Sequence, residues 1–432
     1  MSRGCRRVVM ACLHSEHMIN TLAGCTVTDI KRPDRHRRHI TIVSETFPPE
    51  INGVANTLRY LCQGLMSRGH HVTVIRPRQS RESLKPAPNN HSPLFEHELV
   101  VCGLPIPNYT EFRFGITRPK TLVTLWQNHR PSCVYIATQG PLGLAAVGAA
   151  KQLDIPVLSG FHTNFHSYSR YYRLGAFERL LSAYGRWFHN RTQRTLAPTR
   201  RTIATAQGMG IGNTALWSRG VDCERFSPKK RSNSLRQQWG LQENDRAVLY
   251  VGRLAPEKNL SLAVVCFERI RKLYPTARFI LVGDGPMKAH LEKRHPEFIF
   301  CGMQKGDDLA EHYASGDLFL FPSKTDTFGN VVLEAMASGL GVIAFNDAAA
   351  SEHIRHNENG MKAPLHNDDN FVQHALKLAD QPSLLRRVRS KARLDALDLS
   401  WNQQIDVFER LAFNSYIQVS SHADNKQSFP VL

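Results

Sequence analysis

No apolar run in the 432 residues approaches the roughly 20 needed to cross a bilayer, so the chain is read as a soluble, enzyme-sized protein. The nine cysteines are odd in number and contain no Cys-x-x-Cys pair, which argues against a disulfide framework and a structural zinc site and suits a reducing cytoplasm. A Walker lysine motif is missing, and so is any Asp-x-Asp, the usual carboxylate holder of a metal on a diphosphate. The short apolar stretch Val8 to Leu13 is broken by Cys12 and lacks a small-residue cleavage site, so a secretory signal is not expected. Acidic residues are scarce, 37 against 55 basic ones, which leaves a formal charge of +18 and a surface that favours polyanions. Eight of the basic residues fall in residues 1–38, read as a poorly ordered basic extension; a start codon placed too early would leave the same trace.

What is present is ample: 42% apolar residues build ordinary cores, and the length suits two or three domains. From Ile40 onward, strand runs alternate with helical patterns. Ile40 to Ser44, Val72 to Arg76, Val134 to Ala137 and Pro156 to Gly160 read as strands, with helices over Asn56 to Arg68 and Gly143 to Leu153. A second series starts at Ala247 to Val251 and runs through strands at Arg278 to Val282, Phe298 to Cys301, Leu318 to Phe321 and Val342 to Phe345. This βαβ rhythm predicts two doubly wound α/β domains, residues 39–216 and 217–399. The join falls around Trp217 to Leu241, where Pro228 and a Lys-Lys-Arg run interrupt the pattern. A further helix, Trp401 to Phe413 within 400–418, is expected to pack back on the first domain, and 419–432 to be disordered.

Several strand ends carry chemistry. After the strand Leu318 to Phe321 comes a loop with Asp326, Phe328 and Gly329, then Asn330, Val331 and a helix that brings Glu334 about one turn in, stopped at Gly339. Two carboxylates around a strand-to-helix turn suit a polyhydroxylated ligand, and such loops lie at the carboxyl edge of a parallel sheet, where ligands bind. After Val251, the turn Gly252-Arg253-Leu254 and Lys258 set two cations five positions apart, a fork and a point charge able to neutralise a diphosphate. Surface pairing with Glu257 is the plainer alternative. Gly283-Asp284-Gly285-Pro286 lacks the third glycine of a dinucleotide fingerprint. In the first half Gly53 permits close approach to a ligand, and His162 ends a strand at an edge able to face the cleft, although a lone histidine is more often a packed residue. Residues 165–204 interleave eight arginines with aromatics, and Phe177, Leu180, Leu181, Tyr184 and Phe188 recur at helical spacing. This amphipathic pattern fits a lipid headgroup layer or a helix buried on its domain; no recognised nucleic-acid motif accompanies it.

Together, Gly252-Arg253-Leu254, Glu257-Lys258-Asn259, the Gly283 to Pro286 turn, Arg219-Gly220-Val221-Asp222 and the Asp326/Glu334 pair resemble the retaining, nucleotide-sugar-dependent glycosyltransferases of family 4, over about residues 40–415. The resemblance implies the GT-B fold, two facing Rossmann-like domains with an interdomain cleft. It implies that Arg253 and Lys258 bind the donor diphosphate, with Gly53 approaching it. Glu334 would hold the ribose hydroxyls, Asp326 the hexose hydroxyls, the amides near Phe328, Gly329, Asn330 and Val331 the sugar or phosphate, and His162 would sit beside the transferred sugar. No metal or other cofactor is expected, and retention without an enzyme nucleophile implies front-face transfer. The chain departs from the usual family pattern at Asp326, normally Glu, and at Gly339-Leu340-Gly341, commonly Gly-Leu-Pro. Asn52-Gly53-Val54, His162-Thr163-Asn164 and Thr325 to Asn330 look most like bacterial GDP-mannose-dependent α-mannosyltransferases and their sulfolipid- and glycolipid-forming relatives. The expectation is mannosyl transfer from GDP-mannose to a lipid or lipid-linked glycan at the cytoplasmic face of an anionic membrane, without nucleic acid. A UDP-sugar donor is the first alternative, and a nucleotide-sugar epimerase or a non-enzymatic basic binding protein are others.

Overall fold

The computed structural model describes residues 37–50, 52–79, 95–106, 109–162 and 175–413; the expectations for residues 1–36, 163–174 and 414–432 lie outside them. The first domain holds β1 (His39–Val43), α1 (Gly53–Ser67), β2 (His71–Pro77), β3 (His97–Ile106), β4 (Tyr109–Ile116), α2 (Pro119–Asn128), β5 (Cys133–Ile136), α3 (Pro141–Gln152), β6 (Val157–Gly160), α4 (Gly175–His189), β7 (Arg194–Ala197), α5 (Arg200–Gly208) and β8 (Thr214–Leu216). Its strands order as β4-β3-β2-β1-β5-β6-β7-β8, parallel except for the antiparallel pair β3–β4. That pair is not evident in the sequence, because Gly103 and Pro105 break the alternation that marks a strand.

The second domain holds α6 (Asn233–Gln238), β9 (Ala247–Val251), α7 (Leu260–Leu273), β10 (Arg278–Val282), α8 (Lys288–Arg294), β11 (Ile299–Gly302), α9 (Gly306–Ser315), β12 (Leu318–Phe321), α10 (Asn330–Ala337), β13 (Gly341–Phe345), α11 (Ala348–His353), β14 (Met361–Ala363), α12 (Asp368–Asp380) and α13 (Pro382–Leu397); α14 (Trp401–Phe413) follows. The strand order is β11-β10-β9-β12-β13-β14, all parallel.

Both sheets are buried on two faces, which is why their strands read as nearly continuous apolar runs. Ile40 and Ile42 of β1 enter one core with Leu58 and Leu61 of α1, while Val43 enters the opposite core with Leu142 and Trp126. Likewise Val248 and Tyr250 of β9 face one side of the second sheet, and Leu249 and Val251 the other. Ile405 and Phe408 of α14 are buried in the first domain's core beside Trp217, so the chain crosses between domains twice. The two crossings run side by side: Val221 bridges Ser400, its amide donates to Leu399 O at 2.8 Å, and a side chain at Gly220 would collide with the Trp401 backbone at 2.6 Å.

α1 begins three residues before the helix expected from Asn56, because the Asn52 side chain accepts the Ala55 amide at 2.9 Å and caps the helix there. In the second domain the helix that carries Glu334 is anchored at its far end. Arg389 donates to Gly339 O and Arg393 to Ala337 O, each at 2.7 Å, which satisfies carbonyls that α10 leaves open. Arg389 also joins Arg231 and Arg236 around Asp317, at 3.0 to 3.1 Å. Burial alone would raise the Asp317 carboxyl; the three guanidiniums hold it below the ordinary aspartate value.

Candidate active site

In an open parallel sheet, ligands bind at carboxyl strand ends where the strand order reverses. In the second domain that point lies between β9 and β12, since Val248 pairs with both Phe279 and Leu318. The loops after these two strands carry Arg253 and Lys258, and Asp326. Lys258 closes the short 3-10 turn Pro256–Lys258, and its Nζ lies 2.6 Å from Asp326 Oδ1. Asn259, in the left-handed region at φ 55°, adds a second tie through its side chain to Pro322 O at 3.3 Å. Asp326 Oδ2 is buried without a hydrogen-bond partner, an acceptor that a ligand hydroxyl would satisfy. Arg253 stands clear, its side chain 63% exposed and 3.7 Å from Glu257.

The Gly283 to Pro286 turn serves this loop through its backbone. Leu254 donates to Asp284 O at 2.9 Å, and Met287 donates back to Leu254 O at 2.9 Å. A side chain at Gly283 would collide with Gly252 O, and one at Gly285 with Leu254 O. The glycines therefore let the loop after β10 lie directly against the cationic loop after β9, a different job from a dinucleotide fingerprint.

Past Asp326, Phe328 is buried, with its ring edge-on to His353. Gly329 precedes α10 at φ 80°, with no room for a side chain against the Phe321 ring at 2.9 Å. Asn330 and Val331 open the helix half-buried. Glu334 is one turn further and accepts from the Tyr313 hydroxyl at 2.9 Å. Burial pushes the Glu334 carboxyl up to about 7, against the opposing hydrogen bond from Tyr313.

The first domain supplies the opposite wall. A Cβ added at Gly53 would come within 3.8 Å of Asn330 Nδ2, so the first turn of α1 faces the start of α10 across the cleft. A cavity there is lined by Asn56 and Tyr60 of α1, Gly220, Asp222 and Trp401 of the two crossings, and Asn330 and Glu334 of α10. Tyr60 stacks on Trp401 with centroids 4.8 Å apart. Tyr60 and Trp401 belong to no motif, so nothing in the sequence marks them; Asp222 lies in a family motif that gives it no role. A second seam joins α5 to α11, where Arg200 N donates to Glu352 at 2.8 Å and Arg201 pairs with Asp347 at 2.9 Å.

His162, at the end of β6, is buried instead of open to this cavity. Its Nδ1 lies 2.6 Å from Arg219 Nη2 and its Nε2 2.6 Å from the Tyr135 hydroxyl. Burial, then Arg219 and His189, push its pKa well below the ordinary histidine value, so the ring is neutral. Among the described residues, the group of metal-type ligands Glu268, His295 and Glu297 sits at the opposite edge of the second sheet, with Arg271 paired to both carboxylates.

Residues 51–225 match the family model described as Glycosyltransferase Family 4, and residues 245–381 the one described as Glycosyl transferases group 1. A GDP-mannose-dependent alpha-mannosyltransferase of Corynebacterium glutamicum is 33% identical over 338 residues, 77% of each chain. One of Mycobacterium tuberculosis is 31% identical over 364 residues, 84% of this chain and 93% of its own. More distantly, an alpha-monoglucosyldiacylglycerol synthase of Acholeplasma laidlawii is 25% identical over 82% of this chain and 92% of its own. Among solved structures, Anabaena HepE in complex with UDP superposes with a TM-score of 0.66 at 18% identity, covering 86% of this chain and 99% of that one, and so shares the fold.

Proposed function

Because the chain belongs to the GT-B glycosyltransferases of family 4, we propose that it transfers mannose from GDP-mannose to a hydroxyl of a lipid or lipid-linked glycan, with retention of configuration. The observation that supports this best is the pairing of Lys258 with Asp326 beside the exposed Arg253, at the strand ends facing Gly53. Two cations on one side meet the diphosphate, and the carboxylates meet hydroxyls, Asp326 those of the hexose and Glu334 those of the ribose. The amides around Phe328 to Val331 lie at the start of α10, where N–H groups suit a phosphate or sugar oxygen.

In the step itself, the bond from the sugar C1 to the phosphate oxygen breaks while the acceptor oxygen bonds C1 on the same face. The departing phosphate oxygen takes the acceptor proton. Arg253 and Lys258 stabilise the charge that develops on the diphosphate, so the reading requires no metal. The donor rests on the mannosyltransferase relatives, and the acceptor class on those together with the diacylglycerol glycosylating one.

No helix among the described residues is long and apolar enough to cross a membrane. Access to a lipid acceptor therefore falls to a surface contact. α4 supports one at an anionic membrane: Leu180 is 62% and Trp187 41% exposed, and Arg191 lies over the Trp187 ring at 3.8 Å, with Arg179 and Arg186 exposed nearby on the helix. Calorimetric titration with GDP and UDP tests the donor. GDP binding with no heat from UDP is the expected result; the reverse would replace mannose from GDP-mannose with a UDP-sugar.

A further inference from the structure

Arg219 is 4% exposed, and among the described residues it has no carboxylate partner and its Nη1 has no hydrogen-bond acceptor. Buried guanidiniums are normally neutralised by an acid, because an unpaired buried charge is costly. Here burial lowers its pKa to about 10, and among the described residues the side-chain acceptor its guanidinium reaches is the His162 ring. A guanidinium has donors and no acceptor, so the imidazole nitrogen facing it, Nδ1, carries no proton. With Nδ1 bare, the neutral ring holds its proton on Nε2, 2.6 Å from the Tyr135 oxygen. The site is shaped for this arrangement. A side chain at Gly160 would collide with His162 Nε2 and come within 2.7 Å of the Tyr135 hydroxyl, so glycine leaves the space in which the two meet.

We propose that Arg219 is a positioning residue whose hydrogen bond to Nδ1 fixes His162 as a neutral imidazole protonated on Nε2, able to donate a hydrogen bond but not to take a proton. Arg219 sits on the first crossing between the domains, next to Gly220 of the cleft cavity. The other groups facing the ring act in the same sense or are neutral. His189 adds a repulsive contribution to any charge, Tyr135 is held protonated by burial, and the Trp217 ring packs at 6.4 Å. With its Nε2 proton directed at the Tyr135 oxygen, a histidine in this state takes no proton and leaves proton removal from the acceptor to the departing phosphate. That consequence rests on the glycosyl-transfer reading; the state of the ring does not.

Long-range proton–nitrogen NMR of the full chain carrying nitrogen-15 histidine tests it, with the His162 signal identified by its loss in His162→Gln. The expected pattern is a neutral ring protonated on Nε2 throughout about pH 5.5 to 8. In Arg219→Met the ring should titrate inside that range or change tautomer. The rate of mannosyl transfer from GDP-mannose to a membrane extract should then gain an acid limb falling about tenfold per pH unit. Arg219→Lys, which keeps a charged donor, should restore the flat profile. A wild-type ring protonated on Nδ1 or charged near neutrality overturns the proposal, as does an unchanged ring in Arg219→Met. Should that variant fail to fold, the wild-type tautomer and its persistence in Arg219→Lys still decide. An inactive GDP-mannose assay with the expected NMR pattern would count against the donor and not against Arg219.

Discussion

Lys258 Nζ and Asp326 Oδ1 are 2.6 Å apart, each side chain about one-fifth exposed, and they join the loops after β9 and β12 at the reversal of the second sheet. The pair keeps a cation and a carboxylate mostly out of water at the point where a diphosphate and a sugar would meet. Its geometry also leaves Asp326 Oδ2 unfilled.

Lys258→Ala should lower kcat by on the order of 10²- to 10³-fold, about 3 to 4 kcal/mol of barrier, with a circular dichroism spectrum like the parent's. Arg253→Ala, at a mostly exposed side chain, should behave alike with still less effect on melting. Near-normal turnover in either would remove the diphosphate role.

Donor affinity should depend on pH through Glu334. Its carboxyl is held up to about 7, so below that pH the group is protonated and offers ribose hydroxyls one acceptor fewer. The Kd for GDP should therefore rise as pH falls from about 8 to 6, and Glu334→Gln should give a weak, pH-independent Kd. Equal affinity across that range in the parent would contradict the assignment. For folding the sign is opposite: a carboxyl raised in the folded state costs stability as pH climbs from its unfolded value of about 4.5 toward 7.

Gly283→Ala should destabilise strongly, by about 3 kcal/mol or more, because φ is 139° and the new methyl would collide with Gly252 O. The strain falls on the Arg253 loop, so donor binding should weaken along with melting temperature. A variant that melts like the parent would show that the two loops do not pack as described.

Acid should loosen the fold before it titrates the surface carboxylates. Burial holds His189 and His353 down to about 4 and His162 well below its ordinary value, whereas in the unfolded chain each takes a proton near 6.5. Stability from these groups is complete above about pH 6.5 and is lost as pH falls below it, since the unfolded state binds more protons. Scanning calorimetry between about pH 7 and 5 should show a falling melting temperature, the three rings outweighing the opposite contribution of Glu334, and removing that contribution in Glu334→Gln should steepen the fall; a rise in that variant would refute the assignment of neutral rings.

Much of the architecture is legible in residues alone because both sheets are covered on two faces, which gives unmistakable apolar runs such as Leu318 to Phe321. The exceptions are the β3–β4 pair, its pattern cut by Gly103 and Pro105, and the short strands β7, β8 and β14, which no pattern in the sequence marks. At the site, Arg253, Lys258, Asp326 and Glu334 stand out because charged residues just past a strand in a glycine-bearing loop have few structural reasons to be there. Tyr60 and Trp401 do not stand out, and Arg219 stands in a family motif that gives it no role. Their significance comes from long-range meetings, Tyr60 with Trp401 at 4.8 Å and Arg219 with His162 at 2.6 Å, and sequence spacing encodes neither. The glycines of the Gly283 turn show the same limit: the motif is visible, but the backbone it lies against belongs to another loop, about 30 residues earlier in the chain.

Ile405, Phe408 and Ala412 complete a core whose other buried members all come before residue 218. On the ribosome, therefore, the half of the protein made first leaves an apolar patch open through the entire synthesis of the second half and closes it only when α14 has emerged. A helper that shields exposed apolar surface would find its target on the nascent first domain, and a chain stopped before Trp401 would keep that patch for good.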